Sequence, residues 1–228
     1  MQHLAIIPDG NRRWAKQNKL ESFFGHQRGM EVVRYAIQAC IKNSVKYLSF
    51  YTFSTENFRR SDIEKNYLFN LLVDGFTKNL PELISNGVRV CFIGDRALFP
   101  EKVRVAADHI EDQTKHLDKL QLNLLFCYGA TAEITHAVKA LAHKVKMGLL
   151  QPEEIDETKV HDELWTAAMP DPDLIIRTGG VVRLSNFMLY QSAYAEFSFL
   201  DCFWPEVTED LLERSIQKFD AVKRNFGQ

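Results

Sequence analysis

The sequence predicts an α/β protein with one mostly parallel central sheet of about six strands, flanked by helices. Two observations carry this. Six short apolar runs each stop at a Gly, Pro or polar cluster, and the longer segments between them place apolar residues at helical spacing. Strand–helix alternation of this kind implies parallel strands joined by crossover helices. No low-complexity linker and no repeat divides the 228 residues, so they read as a single domain spanning 1–228.

The first expected strand is Leu4–Ile7. It breaks at Pro8-Asp9-Gly10, and a charged segment of helical composition follows. Asn11 or Asp9 is placed to cap that helix. Residues 16–28, with Gly25 and Gly29, read as a loop. Val33, Ala36, Ile37, Cys40 and Ile41 then mark a helix over Met30–Ile41. The second strand, Val45–Thr52, runs into the polar cluster Phe53-Ser54-Thr55-Glu56-Asn57-Phe58-Arg59-Arg60-Ser61. A long helix is expected from Ser61 to about Asn86, with Pro81 kinking or interrupting it. Strand three is Val88–Ile93, and helix composition returns over Phe99–Leu117. Strand four, Leu122–Cys127, precedes a helix over Ala132–Met147. A connector over Gln151–Glu157 leads to a short helix near Val160–Ala168. Strand five is Asp173–Arg177, closed by Thr178-Gly179-Gly180. Phe197–Phe199 is a sixth strand, and Thr208–Lys223 is the last helix.

Composition excludes several classes. With 46% hydrophobic and 25% charged residues, the chain has material for a substantial core. A net charge of -2 lacks the basic excess of a general nucleic-acid binder. Cys40, Cys91, Cys127 and Cys202 form no C-x-x-C pair, so neither a zinc site nor a redox motif is indicated. Three of them lie in apolar runs and read as buried thiols, which fits a reducing, cytoplasmic location. No signal peptide and no span of roughly 20 apolar residues is seen.

In parallel sheets, ligands bind at the carboxyl ends of strands. The clusters after strands one, two and five lie there, and each contains arginine. Asp9 with Arg12 and Arg13 offers one carboxylate and two guanidinium groups at the end of a strand. Such groups suit a diphosphate with magnesium, because arginine forks onto phosphate oxygens and a carboxylate takes the ion. Arg13, Arg60, Arg177 and Arg183 could together hold two diphosphates. Neither G-x-G-x-x-G nor G-x-x-x-x-G-K-[ST] is present, which counts against a nucleotide-binding alternative.

Four stretches carry a resemblance: HLAIIPDGNRRWA from His3, FGH at Phe24–His26, FSTENFRR from Phe53, and DLIIRTGG…RLSNF…YQSAYAE from Asp173 to Glu196. Together they resemble the cis-prenyltransferase family, in its bacterial undecaprenyl diphosphate synthase form. The resemblance implies the family fold and a magnesium-dependent homodimer. It also implies repeated condensation of isopentenyl diphosphate onto farnesyl diphosphate, with the product delivered to the membrane. It makes Asp9 the essential carboxylate and magnesium ligand, with Glu196 as a second metal-side carboxylate. Gly10, Asn11, Arg12, Arg13 and Arg60 would hold the allylic diphosphate, with Trp14 and His26 beside it. Asn57 and Ser54 would sit where the proton leaves, next to Phe58. Arg177, Arg183 and Ser185 would bind isopentenyl diphosphate, and Arg224-Asn225-Phe226-Gly227 would reach a neighbouring subunit.

The chain departs from the family pattern at Pro8, Ser22, Cys127 and the segment after Gly129, which lacks a usual arginine. Val181 and Val182 replace a usual Glu and a polar residue, so Arg183 is expected to be less well oriented. A non-catalytic, lipid-binding subunit of the same family is the alternative, although such subunits typically lose the carboxylate that Asp9 keeps.

Overall fold

The structure, a computed structural model, describes residues 1–221. Six strands form one all-parallel sheet: β1 (His3–Ile7), β2 (Tyr47–Ser54), β3 (Val88–Ile93), β4 (Leu120–Tyr128), β5 (Leu174–Arg177) and β6 (Glu196–Phe199). Their order across the sheet is β3-β4-β2-β1-β5-β6. All five residues of β1 are buried, as a central parallel strand covered on both faces requires. Alternation along β1 divides them. Leu4 and Ile6 join one core cluster, while Ala5 and Ile7 join the other.

Four helices cover the first face: α2 (Ser22–Lys42), α3 (Asp62–Ser85), α4 (Glu101–Thr114) and α7 (Glu209–Ala221). The second face is covered by α5 (Ala130–Lys146) and by Met169, Phe187 and Met188. Two short helices complete the set, α1 (Asn11–Gln17) and α6 (Glu157–Asp162).

Several expectations are corrected. The loop expected over 16–28 is mostly helix, since α1 reaches Gln17 and α2 begins at Ser22. Gly25 and Gly29 are packing residues within α2. A Cβ on Gly25 would lie 2.0 Å from the Asn11 carbonyl oxygen, and one on Gly29 would lie 2.4 Å from Asn11 Oδ1. Neither Asn11 nor Asp9 caps α1. That position is Gly10, at φ 104°, a left-handed conformation that favours glycine. Helix α3 runs through Pro81, with Leu80 and Leu83 on either side buried in the core. Its start is capped by Ser61 Oγ, which accepts the Glu64 N–H. Helix α6 begins earlier than expected because Asp156 caps it through the Lys159 N–H, and it ends at Asp162.

One buried polar group makes stability depend on pH. The His3 ring lies between the Pro170 carbonyl at 2.6 Å and Ser49 Oγ at 2.8 Å. Burial lowers its pKa to about 4. A histidine depressed in the fold stabilises fully above its unfolded value near 6.5, and that stability is lost as pH falls toward 4. The urea midpoint should therefore drop between pH 7 and pH 4.5, with His3 costing up to about 3 kcal/mol at 1.36 kcal/mol per unit. In His3→Gln the drop should be clearly smaller; an equal drop would remove His3 as its source.

Candidate active site

Strands β2, β1 and β5 are neighbours in the sheet, so the loops that follow them meet. They line one cleft of about 1240 Å³, which contains Asp9, Gly10, Asn11, Arg12, Arg13, His26, Ser54, Asn57, Arg60, Arg177, Arg183 and Ser185. Twelve residues expected from sequence thus come together there. Trp14 and Phe58 do not line it. Phe58 packs edge-on to Phe53 at 5.2 Å, against the core. Glu196 is also outside the cleft. It begins β6, in register with Leu174 at the opposite end of the sheet. Arg224–Gly227 lies outside the described residues.

Asp9 is the hub. Its Oδ2 accepts from Arg177 Nη2 at 2.8 Å, and its Oδ1 lies 3.2 Å from Arg13 Nη2. Burial pushes this carboxyl up, but Arg177 first and Arg13 second outweigh it and hold it below the usual carboxylate range. Thr178 fixes its backbone, because the Asp9 N–H donates to Thr178 Oγ1 at 2.9 Å and that hydroxyl donates to the Asp9 carbonyl at 2.7 Å.

Arg177 is only 4% exposed, so its charge is held by geometry. Besides Asp9, it donates through Nη1 to the Arg183 carbonyl at 2.5 Å and to Ser185 Oγ at 2.8 Å. Arg183 is exposed, and its Nε donates to the same Ser185 Oγ at 3.2 Å. Ser185 therefore gives Arg183 a neutral partner where the usual carboxylate is replaced by Val181. Arg13 donates to the Gly179 carbonyl at 2.8 Å and lies over the Phe203 ring. Across the cleft, Glu64 takes Arg60 at 3.1 Å and Arg12 at 3.9 Å.

The β2 end is set by a local pair, in which Asn57 Oδ1 accepts the Ser54 N–H at 3.1 Å. His26 lies in the second turn of α2, and its buried Nε2 has no hydrogen-bond partner. Burial, then the nearby Arg60 and Arg12, lower its pKa to about 4, so the ring is neutral near pH 7. Sequence reasoning missed Lys16, Lys19, Tyr51, Glu56 and Asn186 in the cleft wall. Glu56 and Asn186 lie inside the quoted motifs, so a signal was available for those two.

Below the charged rim, the cleft continues into an apolar cavity of about 90 Å³, sharing Pro8, Asn11, His26, Thr52 and Leu68 with it. Phe50, Phe53, Phe76 and Phe126 are among its walls. A further space of about 30 Å³ opens between α2 and α3 and shares Met30, Val33 and Phe76. Paired guanidinium groups above an oily hole suit an amphiphile with an anionic head.

A family model described as putative undecaprenyl diphosphate synthase matches residues 7–227. The chain belongs to this family. It is a cis-prenyltransferase, similar at 43% identity over 229 residues to an isoprenyl transferase of Streptococcus thermophilus, covering 99% of this chain and 92% of that one. It is 42% identical over 226 residues to the ditrans,polycis-undecaprenyl-diphosphate synthase, (2E,6E)-farnesyl-diphosphate specific, of Micrococcus luteus, covering 99% and 91%. Two solved structures share this cis-prenyltransferase fold. Lavandulyl diphosphate synthase from Lavandula x intermedia, in complex with dimethylallyl diphosphate, matches with a TM-score of 0.96 at 31% identity, covering 100% of this chain and 98% of that one. A probable undecaprenyl diphosphate synthase from Campylobacter jejuni matches with a TM-score of 0.83 at 32% identity, covering 100% and 99%.

Proposed function

We propose that this cis-prenyltransferase, acting as a single domain, condenses isopentenyl diphosphate repeatedly onto farnesyl diphosphate. The product is a long-chain Z-polyprenyl diphosphate, undecaprenyl diphosphate, the precursor of the lipid carrier for bacterial cell-wall synthesis. One observation carries the reading: Asp9, Arg13, Arg60, Arg177 and Arg183 share a single cleft that opens into an apolar cavity. A prenyl diphosphate needs a cationic seat for its head and a dry channel for its tail.

In this reading, Arg12, Arg13 and Arg60, with Gly10 and Asn11, hold the allylic diphosphate. Arg177, Arg183 and Ser185 hold isopentenyl diphosphate. The allylic C–O bond breaks, pyrophosphate leaves with the electron pair, and the isopentenyl double bond forms the new C–C bond. A proton then leaves the isopentenyl carbon beside Asn57 and Ser54, and the released pyrophosphate accepts it. Guanidinium groups fixed before the bond breaks stabilise the departing charge without reorganising. In this reading His26, whose neutral ring has one buried nitrogen unpartnered, hydrogen-bonds a diphosphate oxygen, and that unpartnered nitrogen is what supports the role.

Among the described residues no three His, Cys, Asp or Glu side chains form a metal cluster. Magnesium suits the site nonetheless, because it is commonly held by one or two carboxylates together with substrate phosphates. Asp9 is the carboxylate that would hold it, and the ion would supply Lewis-acid stabilisation of the leaving pyrophosphate. Glu196 would contribute only from elsewhere, since it is outside this chain's own cleft. That remoteness agrees with a homodimer, with β6 and its exposed Phe197 at the sheet edge as the meeting side.

No described helix is long and apolar enough to cross a membrane. We assign a cytoplasmic enzyme that hands its product to the membrane peripherally, with exposed Leu20, which lines the cleft, on the lipid side. The alternative is a non-catalytic lipid-binding subunit. Purified protein incubated with labelled isopentenyl diphosphate, farnesyl diphosphate and magnesium separates the two. Butanol-extractable label is expected; lipid binding without incorporation would favour the subunit.

Two variants refine the reading. Val181→Glu should lower the Michaelis constant for isopentenyl diphosphate by adding a carboxylate beside Arg183; an unchanged or higher value would mean that Ser185 already does that work. Val33 lines both the apolar cavity and the space between α2 and α3. Val33→Phe should therefore shift products to shorter chains on thin-layer separation, and an unchanged ladder would place the growing tail elsewhere.

A further inference from the structure

Glu133 is a fully enclosed carboxylate that no step above uses. It lies in the first turn of α5, where the helix dipole favours a negative charge. Four donors converge on it. They are the Tyr128 hydroxyl, the Thr166 N–H at 3.0 Å, the Thr166 hydroxyl at 2.8 Å and the Gln191 side-chain amide at 2.9 Å. None of the four is a cation, so this carboxylate is held by hydrogen bonds alone.

Gln191 closes the loop over 183–191, and the front of that loop presents Arg183 and Ser185 to the cleft. The backbone there is strained. Ser185, Asn186 and Met188 have φ of 51°, 66° and 44°, and none is glycine. Left-handed residues of this kind cost about 1 kcal/mol or more each and persist only where the surroundings over-determine them. Two anchors do so, and both land on the first turn of α5. At the front, Asn186 Oδ1 accepts the Thr131 N–H at 2.9 Å, and its carbonyl accepts the Ala130 N–H at 2.8 Å. At the back, Gln191 reaches Glu133. Just ahead of the front anchor, Ser185 Oγ joins Arg177 to Arg183. A shift of this loop therefore displaces Arg183 and withdraws Ser185 from Arg177, which stays on β5 with Asp9.

We propose that Glu133 is a positioning residue for the isopentenyl diphosphate half of the cleft, acting through Gln191 on the loop that carries Arg183 and Ser185. The inference rests on the assignment of Arg177, Arg183 and Ser185 to that substrate. The variant of choice is Gln191→Ala, because it removes one donor to Glu133, with the Gln191 bond to Thr166 Oγ1 at 2.5 Å, and leaves Glu133 three other donors. Gln191→Met, which keeps the volume, guards against a packing defect.

Three measurements test it. In both variants the Michaelis constant for isopentenyl diphosphate should rise about tenfold, the scale of one hydrogen bond to a charged group, with that for the allylic substrate and kcat within about twofold. Equal rises for the two substrates, or none, would overturn the proposal. Amide hydrogen exchange over 183–188 should quicken in both variants while β1 and β4 are unchanged. This reads out even in protein without turnover, and unchanged exchange there would sink the proposal independently. If the wild-type chain incorporates no isopentenyl label while exchange behaves as expected, the substrate assignment fails and the loop anchor stands.

Discussion

Asp9→Asn should lose at least about 10³-fold in kcat, the scale of removing a charge aimed at the transition state. The substitution keeps an oxygen for Arg177 Nη2, so the junction between β1 and β5 survives. What disappears is the negative charge that balances Arg13 and Arg177 and that, in the proposed reaction, would offer an oxygen ligand to magnesium. Asp9→Ala should be equally inactive, with the fold retained. Circular dichroism and a melting scan report on the fold, and label incorporation reports on turnover. Either variant turning over at the wild-type rate would remove Asp9 from the chemistry. An inactive Asp9→Asn that still binds inorganic pyrophosphate would separate binding from catalysis and support the assigned role.

Arg177→Lys should be the next most damaging change. One guanidinium at this position holds Asp9, Ser185 and the Arg183 carbonyl at once. An ammonium is a point charge on a flexible stem and cannot span three acceptors in a fixed fork. Turnover at saturating allylic substrate should fall about 10²-fold, and the Michaelis constant for isopentenyl diphosphate should rise. Because Arg177 is buried, stability should fall as well, by about 1–3 kcal/mol per acceptor left unsatisfied. Normal kinetics with a lowered melting point would make the residue structural only.

Most of the sheet was legible because buried parallel strands are written as unbroken apolar runs. Leu4–Ile7 and Leu122–Cys127 needed no further context. Their lateral order was not legible, since periodicity says nothing about neighbours. The convergence of Arg13, Arg60 and Arg177 follows from β2, β1 and β5 lying side by side. Gly25 and Gly29 misled for a physical reason. Glycine marks both a turn and a close approach, and here α2 needs the missing side chains to sit against Asn11. Within the site, charged residues in motifs were found, whereas Lys16 and Lys19 fall in a stretch that reads as a polar loop, where lysine carries no site signal. Trp14 and Phe58 have the composition of a substrate wall but do not line the cleft. Glu196 was placed by motif, and its strand starts at the far end of the sheet.

Under the proposed reaction, the small size of the apolar cavity bears on elongation. An engineered cavity of about 150 Å³ holds one benzene, so 90 Å³ accommodates at most a single five-carbon unit. Under the proposed reaction, each later unit has to wedge α2 away from α3, past Met30 and Phe76. Sheltering five more carbons from water releases about 4 kcal/mol, at 0.8 per methylene. The packing that resists is of similar scale, since truncating a buried phenylalanine to alanine costs about 3–5 kcal/mol. In the proposed reaction, the gain from sheltering each unit is therefore weighed against the packing it displaces, and the side chains between α2 and α3 decide how long the tail becomes.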